Sequence, residues 1–141
     1  VEYTAYKHTY EPHGGTAHCA KELGVDEHRV VKTIVLKTNE GKPLIMLMHG
    51  DFEISLNKLA RIVGVKTIET CEIEEAQRHS GYLVGGTSPF GFRKKIPLYA
   101  QKTIFDLDWI IINGGSREIF VKISPAALKS VLGAIPVEAQ Q

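Results

Sequence analysis

Short runs of β-branched and aliphatic residues alternate along the chain with segments whose apolar positions recur at helical spacing. The densest run, Val30 to Thr38, predicts a strand; Asn39-Glu40-Gly41-Lys42 supplies a hairpin loop and Pro43 to His49 the return strand. Leu56, Leu59, Ala60 and Val63 then fall on one helical face behind the N-cap Ser55, and Gly64 closes that helix. Before the strand pair, Thr4 to Tyr10 alternates as a short strand that Glu11-Pro12-His13-Gly14-Gly15 ends. Thr16 is the expected cap of a helix through Leu23, Gly24 its stop, and Asp26 the cap of a single turn. Val65 to Ile68 reads as a strand, followed by a helix from about Ile73 to His79. Ile96 to Ala100 and Thr103 to Phe105 read as short strands. Trp109 to Ile112 and Glu118 to Ile123 are joined through a hairpin turn at Asn113-Gly114-Gly115-Ser116. Ser124-Pro125 opens a last helix through Leu132, stopped by Gly133, and the tail after Pro136 is expected to be loose. Strands interleave with helices, yet at least two links are hairpins. The pattern predicts an α/β domain with a mixed sheet flanked by helices.

Composition narrows the setting. A chain of 141 residues, 43% hydrophobic and 23% charged, suits one domain with one core. Lys and Arg number 17 and Asp and Glu 16, so the overall charge does not mark a nucleic-acid binder and leaves only a local basic patch open. Cys19 and Cys71 have neither zinc nor disulfide spacing, and a reduced cytoplasmic setting is the default. No apolar run has the length of a membrane span, and the first residues lack a signal-peptide pattern, so the expectation is a soluble protein without a membrane partner.

Two stretches carry candidate chemistry. Gly81 to Gly91 reads Gly-Tyr-Leu-Val-Gly-Gly-Thr-Ser-Pro-Phe-Gly. Gly85 and Gly86 lack Cβ atoms, so their amides can approach a ligand oxygen closely, while Pro89 fixes one φ angle and pushes Ser88 toward an extended conformation. The loop is either an ordinary tight turn or a backbone cradle for a carbonyl oxygen or phosphate. Lys32 lies within the strand run, on the face of Val30, Ile34 and Leu36. Its ammonium either meets a partner or cavity in a site, or its stem covers apolar surface while its head reaches water. Tyr10 offers a phenol at the end of the first strand, and Arg93-Lys94-Lys95 could meet phosphates near the glycine loop. His13, His18 and Cys19 raise a metal reading, with Glu22 one helical turn from His18, but no second compact pair completes a site. Cys71 and Ser88 have no evident base beside them, so the residues point to backbone donors and a lysine, with the nucleophile supplied from elsewhere.

The run from Gly81 to Gly91, with Arg93-Lys94-Lys95 after it, closely resembles the signature loop of the YbaK family. These are aminoacyl-tRNA deacylases related to the editing domain inserted in bacterial prolyl-tRNA synthetases. His8-Thr9-Tyr10, Val31-Lys32-Thr33 and Gly114-Gly115 also resemble that family, in the same order and at similar spacing, over nearly the whole chain. The resemblance implies a single editing domain over residues 1–141, an α/β fold with a curved, barrel-like mixed sheet, and hydrolysis of a wrongly charged aminoacyl ester without a cofactor or metal. Position by position, it implies that Lys32 is the essential lysine and Tyr10 a pocket tyrosine, with Gly85 and Gly86 as backbone donors. It places Thr33, Thr87, Ser88, Pro89, Gly114 and Phe120 around the substrate. The implied partners are the 3′ aminoacyl-adenosine end of tRNA and, in addition, prolyl-tRNA synthetase. In the cysteine-specific branch the substrate's own thiol attacks its carbonyl, which fits the missing protein nucleophile.

Two positions bear on the substrate. Thr33 follows the lysine as in the cysteine branch, where the alanine-editing branch typically has asparagine; Phe120 stands where the cysteine branch often carries aspartate. The expectation is a cytoplasmic deacylase acting on Cys-tRNA(Pro) in trans. The alternatives are a noncatalytic module that holds tRNA ends or a nucleotide, and a deacylase for Ala-tRNA(Pro) or another small aminoacyl-tRNA.

Overall fold

A computed structural model of the protein describes residues 4–7, 15–71, 96–116 and 119–141. Its strands are β1 (Thr4–Lys7), β2 (Val30–Thr38), β3 (Pro43–His49), β4 (Ile68–Thr70), β5 (Leu98–Gln101), β6 (Ile110–Ser116), β7 (Ile119–Ile123) and β8 (Ile135–Val137). Among the described residues three α-helices lie between them: α1 (Gly15–Leu23), α2 (Leu56–Val63) and α3 (Ala126–Leu132). All eight strands join one sheet in the order β1-β7-β6-β2-β3-β5-β8, with β4 also on β2. The pairs β2–β6, β3–β5 and β5–β8 are parallel and the others antiparallel, so the mixed α/β sheet expected from the hairpins is present. Among the described residues the sheet is open, with β1 and β8 at its ends, so "barrel-like" overstates its closure.

Alternation along β2 and β3 sends side chains to two cores. Val31, Ile45 and Leu47 pack with Ile104, Ile112, Ile123 and the α3 residues Ala127 and Leu128. Leu36, Leu44, Met46 and Met48 pack on the opposite face with Leu59 and Ala60 of α2. A third cluster lies beneath α1, where Cys19 and Ala20 meet Val30, Ile111 and Phe120. The sheet therefore carries helices on both faces.

Local chemistry sets the element ends. Ser55 accepts a hydrogen bond from Lys58 N at the start of α2, and Gly64 ends it in the left-handed region at φ 85°. Asp26 caps the single turn Glu27–Arg29 as expected. Gly50 N donates to Val30 O at 2.7 Å. A Cβ there would lie 2.8 Å from that carbonyl and 2.6 Å from Thr16 Oγ1, so the approach of chain to chain requires glycine.

Several expectations need correction. Thr16 is not the cap of α1, which begins at Gly15; its hydroxyl lies 2.7 Å from Glu27 Oε2 and 3.2 Å from Gly50 O and ties the helix to the strand ends. The strand expected at Val65 begins at Ile68, because Val65 N is used by the helix cap, donating to Ala60 O at 3.0 Å. Thr103 to Phe105 lies in a 3-10 turn, Lys102–Asp106, which inserts Ile104 into the core. Asn113 to Ser116 is not a hairpin turn: β6 runs through Ser116, and a register shift between Asn113 and Ser116 absorbs the glycines. The tail is not loose. Beyond β8, Ala139 is fully buried, Ser55 N donates to Ala139 O at 2.6 Å and Gln141 N to Glu53 O at 3.0 Å. The expected extension of the first strand to Tyr10 and the helix from Ile73 to His79 lie outside the described residues.

Candidate active site

Strand β2 has one continuous edge and one divided edge. Val31 to Lys37 pair residue by residue with β3. On the other edge Val30 and Val31 pair with β6 and Leu36 to Thr38 pair with β4, leaving Lys32 to Val35 without a strand partner among the described residues. Within that gap Val35 O accepts from Cys71 N at 3.3 Å. Such a break exposes main-chain polar groups to a ligand or to more of the chain.

Lys32 sits at the break. It lies opposite Met48, on the face that Ile34, Met46 and Phe52 line, and its side chain is 25% exposed. The stem is covered and the ammonium lies 3.8 Å from Glu53 Oε1, whose side chain is 76% exposed. The stem thus covers apolar surface, and the head has a carboxylate beside it. Thr33 lies opposite Leu47 and so points to the other face, toward the core under α3. Its Oγ1 is buried and lacks a hydrogen-bond partner among the described residues, a condition that costs about 1–3 kcal/mol.

Across the divided edge, the parallel pairs Val30–Ile111 and Val31–Ile112 end one step before Lys32 would stand level with Asn113. Asn113 is buried, shares the face of Lys32 by alternation, and pairs with Phe120 of β7. Gly114 follows inside the register shift. Phe120, 9% exposed, packs with Cys19, Ala20, Val30 and Ile111. Lys32, Asn113 and Phe120 therefore occupy one face of the sheet and Thr33 the other. Tyr10, Gly85, Gly86, Thr87, Ser88, Pro89 and the Arg93-Lys94-Lys95 run lie outside the described residues. Two polar groups here escaped the sequence reading. Asn113 closes the apolar run Ile110-Ile111-Ile112 and has the local chemistry of a turn; Glu53 has no local pattern and meets Lys32 only through the fold.

The metal reading can be tested on the donor sets. His13 lies outside the described residues. His18 Nε2 lies 3.1 Å from Glu22 Oε2, as the helical spacing anticipated. Burial pushes the Cys19 thiol up to about 12, with Glu22 adding to the shift, so a thiolate ligand is disfavoured. Among the described residues, His28, His49 and Asp51 offer ligand atoms within 4.8 Å of one another. His28 Nδ1, both His49 ring nitrogens and the Asp51 carboxylate are already engaged in hydrogen bonds. His28 Nδ1 lies 3.0 Å from Asp51 Oδ1, His49 Nδ1 donates to His28 O at 2.7 Å, and His49 Nε2 lies 2.7 Å from Thr103 Oγ1. The two rings stack at 3.7 Å and 6°, so their in-plane lone pairs run parallel and do not converge on one ion.

A family model described as an aminoacyl-tRNA editing domain matches residues 11–131. The chain belongs to the aminoacyl-tRNA editing domain family. The resemblance read from its loop and lysine strand is borne out. The chain is an aminoacyl-tRNA deacylase, a hydrolase whose substrate includes tRNA. It is 30% identical over 132 residues to a protein of Enterococcus faecalis with the provisional name Cys-tRNA(Pro)/Cys-tRNA(Cys) deacylase EbsC, covering 93% of this chain and 80% of that one. It is also 32% identical over 102 residues to a proline–tRNA ligase of Brachyspira hyodysenteriae, covering 72% of this chain but only 18% of the ligase. The fold matches a crystal structure provisionally described as a trans-editing enzyme for prolyl tRNA synthetase, with TM-score 0.88, 20% identity and coverage of 99% of this chain and 87% of that one. A second crystal structure, of the hypothetical protein APE2540, matches with TM-score 0.90, 23% identity and coverage of 100% and 93%. Among the described residues no helix is long and apolar enough to cross a membrane.

Proposed function

We propose that this editing domain removes cysteine from Cys-tRNA(Pro) in trans, in the cytoplasm, with Lys32 as its essential charge. The observation that carries this reading is the Lys32 ammonium, held by a covered stem at the break in the β2 edge. The provisional name of the Enterococcus faecalis relative supports the cysteinyl substrate. The Lys32 ammonium and the Gly85 and Gly86 amides orient the ester and stabilise the negative charge that develops on its carbonyl oxygen. The cysteine thiol gives up its proton and bonds to the carbonyl carbon, the ester C–O bond breaks, and the ribose oxygen takes a proton. Water then opens the thiolactone.

Tyr10, Thr87, Ser88, Pro89 and Gly114 form the remaining walls of the pocket. The orphaned Thr33 hydroxyl supplies a polar contact, although a ligand that meets both Thr33 and Lys32 has to enter at the divided edge, since the two side chains leave opposite faces. Phe120 closes the apolar end on the Lys32 face. Prolyl-tRNA synthetase is the proposed partner that presents proline tRNA, consistent with the partial match to a proline–tRNA ligase.

The test incubates the protein and its Lys32→Ala variant with Cys-tRNA(Pro) and with Ala-tRNA(Pro) and follows the loss of each ester. Selective loss of the cysteinyl ester is expected, slowed about 100-fold or more in the variant. Loss of the alanyl ester alone would overturn the substrate. Saturable tRNA binding without cleavage of either ester would replace this reading with a noncatalytic module for tRNA ends.

A further inference from the structure

The exposed Glu53 carboxylate stands beside the proposed catalytic lysine. Its main chain is fixed: Gln141 N donates to Glu53 O at 3.0 Å, Ile54 bridges to Gln140, and Ser55 N donates to Ala139 O at 2.6 Å. Its side chain is 76% exposed, and among the described residues its carboxylate meets Lys32 Nζ at 3.8 Å. The carboxylate therefore starts from a firmly placed backbone and keeps most of its acceptor positions open to solvent. A pair at this distance and exposure adds little stability, so stability does not explain why the charge lies there.

An aminoacyl ester carries two groups on adjacent carbons that such a pair matches. Its carbonyl oxygen becomes negative as the ester is attacked, and its α-amino group is a cation when protonated. A lysine ammonium alone attracts the first and repels the second. A carboxylate beside that ammonium reverses the repulsion and accepts charge-assisted hydrogen bonds from the α-ammonium. We propose that Glu53 is the receptor for the substrate's α-ammonium group, and that the Lys32–Glu53 pair thereby selects esters of free amino acids over N-acylated or peptidyl esters on tRNA. This inference rests on the assignment of Lys32 to the site.

The test measures hydrolysis of Cys-tRNA(Pro) and N-acetyl-Cys-tRNA(Pro) by the wild-type protein and Glu53→Gln, with thermal unfolding to confirm that the variant is folded. The wild type should cleave the free-amine ester about 10- to 100-fold faster, the range of one charged hydrogen bond. Glu53→Gln should lose most of that preference by slowing on the free-amine ester alone. Equal wild-type rates on the two esters would overturn the proposal while leaving the deacylase reading intact. So would a variant that keeps the wild-type ratio, whether its rates are unchanged or both fall together; a joint fall would mean that Glu53 acts only through Lys32. Failure of the wild type to cleave either ester would remove the substrate reading and this inference with it.

Discussion

The β3 edge of β2 and its opposite edge differ in what they leave unsatisfied. On the β3 side the ladder is continuous from Val31 to Lys37, and the facing residues Ile45, Met46, Leu47 and Met48 are fully buried on alternate faces. On the other side, among the described residues, the ladder breaks after Val31 and resumes at Leu36, and the interval holds a lysine with a loose partner and a buried hydroxyl with none. Unsatisfied polar groups cost free energy wherever they are buried. They persist here because the continuous edge, two apolar cores and the pairings at either end of the divided edge hold β2 in place without help from the Lys32–Val35 interval. A strand secured on one side can present reactive groups on the other at fixed positions, which is what an electrostatic site requires.

The largest effect expected from this contrast lies on the continuous edge. Ile45 is fully buried in the core under α3 and pairs with Val35. Ile45→Ala should lower the unfolding free energy by about 2–5 kcal/mol, measured by urea titration. A loss below about 1 kcal/mol would mean that this side is not what secures β2. The next effect has the opposite sign. Thr33→Val keeps the shape of the side chain and deletes the orphaned hydroxyl, so stability should rise by about 1 kcal/mol while ester cleavage slows. If the same titration shows a fall in stability, the hydroxyl has a partner in solution and the divided edge is better satisfied than its geometry indicates.

The same contrast separates what was legible in the sequence from what was not. Elements set by local chemistry could be read directly: the aliphatic run of β2, the Ser55 cap, the Gly64 and Gly133 stops. Elements set by distant partners could not. Ile135–Val137 became a strand because β5 offers a free edge and Ala139 has a buried place beside α2, and nothing within six residues of the tail announces either. Asn113 and its glycines carry turn chemistry, yet the pairing of β6 with β7 on both sides of them converts a turn into an irregularity within a strand. At the site, Lys32 stood out as a charge among apolar residues. Glu53 and the orphaned state of the Thr33 hydroxyl follow from which chain segments meet in space, which periodicity does not encode.

The smallest effect sharpens the comparison at the end of the continuous edge. His49 is fully buried opposite Val31, stacked on His28 and bonded through both ring nitrogens. Burial pushes its pKa below the ordinary 6.5 and the nearby His28 adds to this, against the opposing pull of its bond to the His28 carbonyl and of Asp51 and Asp106. With Nδ1–H given to that carbonyl, the neutral ring accepts the Thr103 hydroxyl proton at Nε2. A histidine held neutral in the folded state binds fewer protons there than in the unfolded chain. Its contribution is therefore complete above pH 6.5 and is lost as pH falls from 6.5 toward the lower folded-state value, with a slope of at most about 1.4 kcal/mol per pH unit. Asp108, beside the Arg29 guanidinium, and Glu138, bonded by the Gln101 amide, are also held below their ordinary values of 3.8 and 4.5, so their contributions fade only at more acid pH. Urea titrations between pH 5 and 7 should accordingly show wild-type stability falling toward acid, and His49→Gln, less stable at pH 7, should show a flatter profile. Parallel profiles for the two proteins would mean that the stack tolerates the imidazolium, and the continuous edge would then end, like the divided one, on a group able to carry charge.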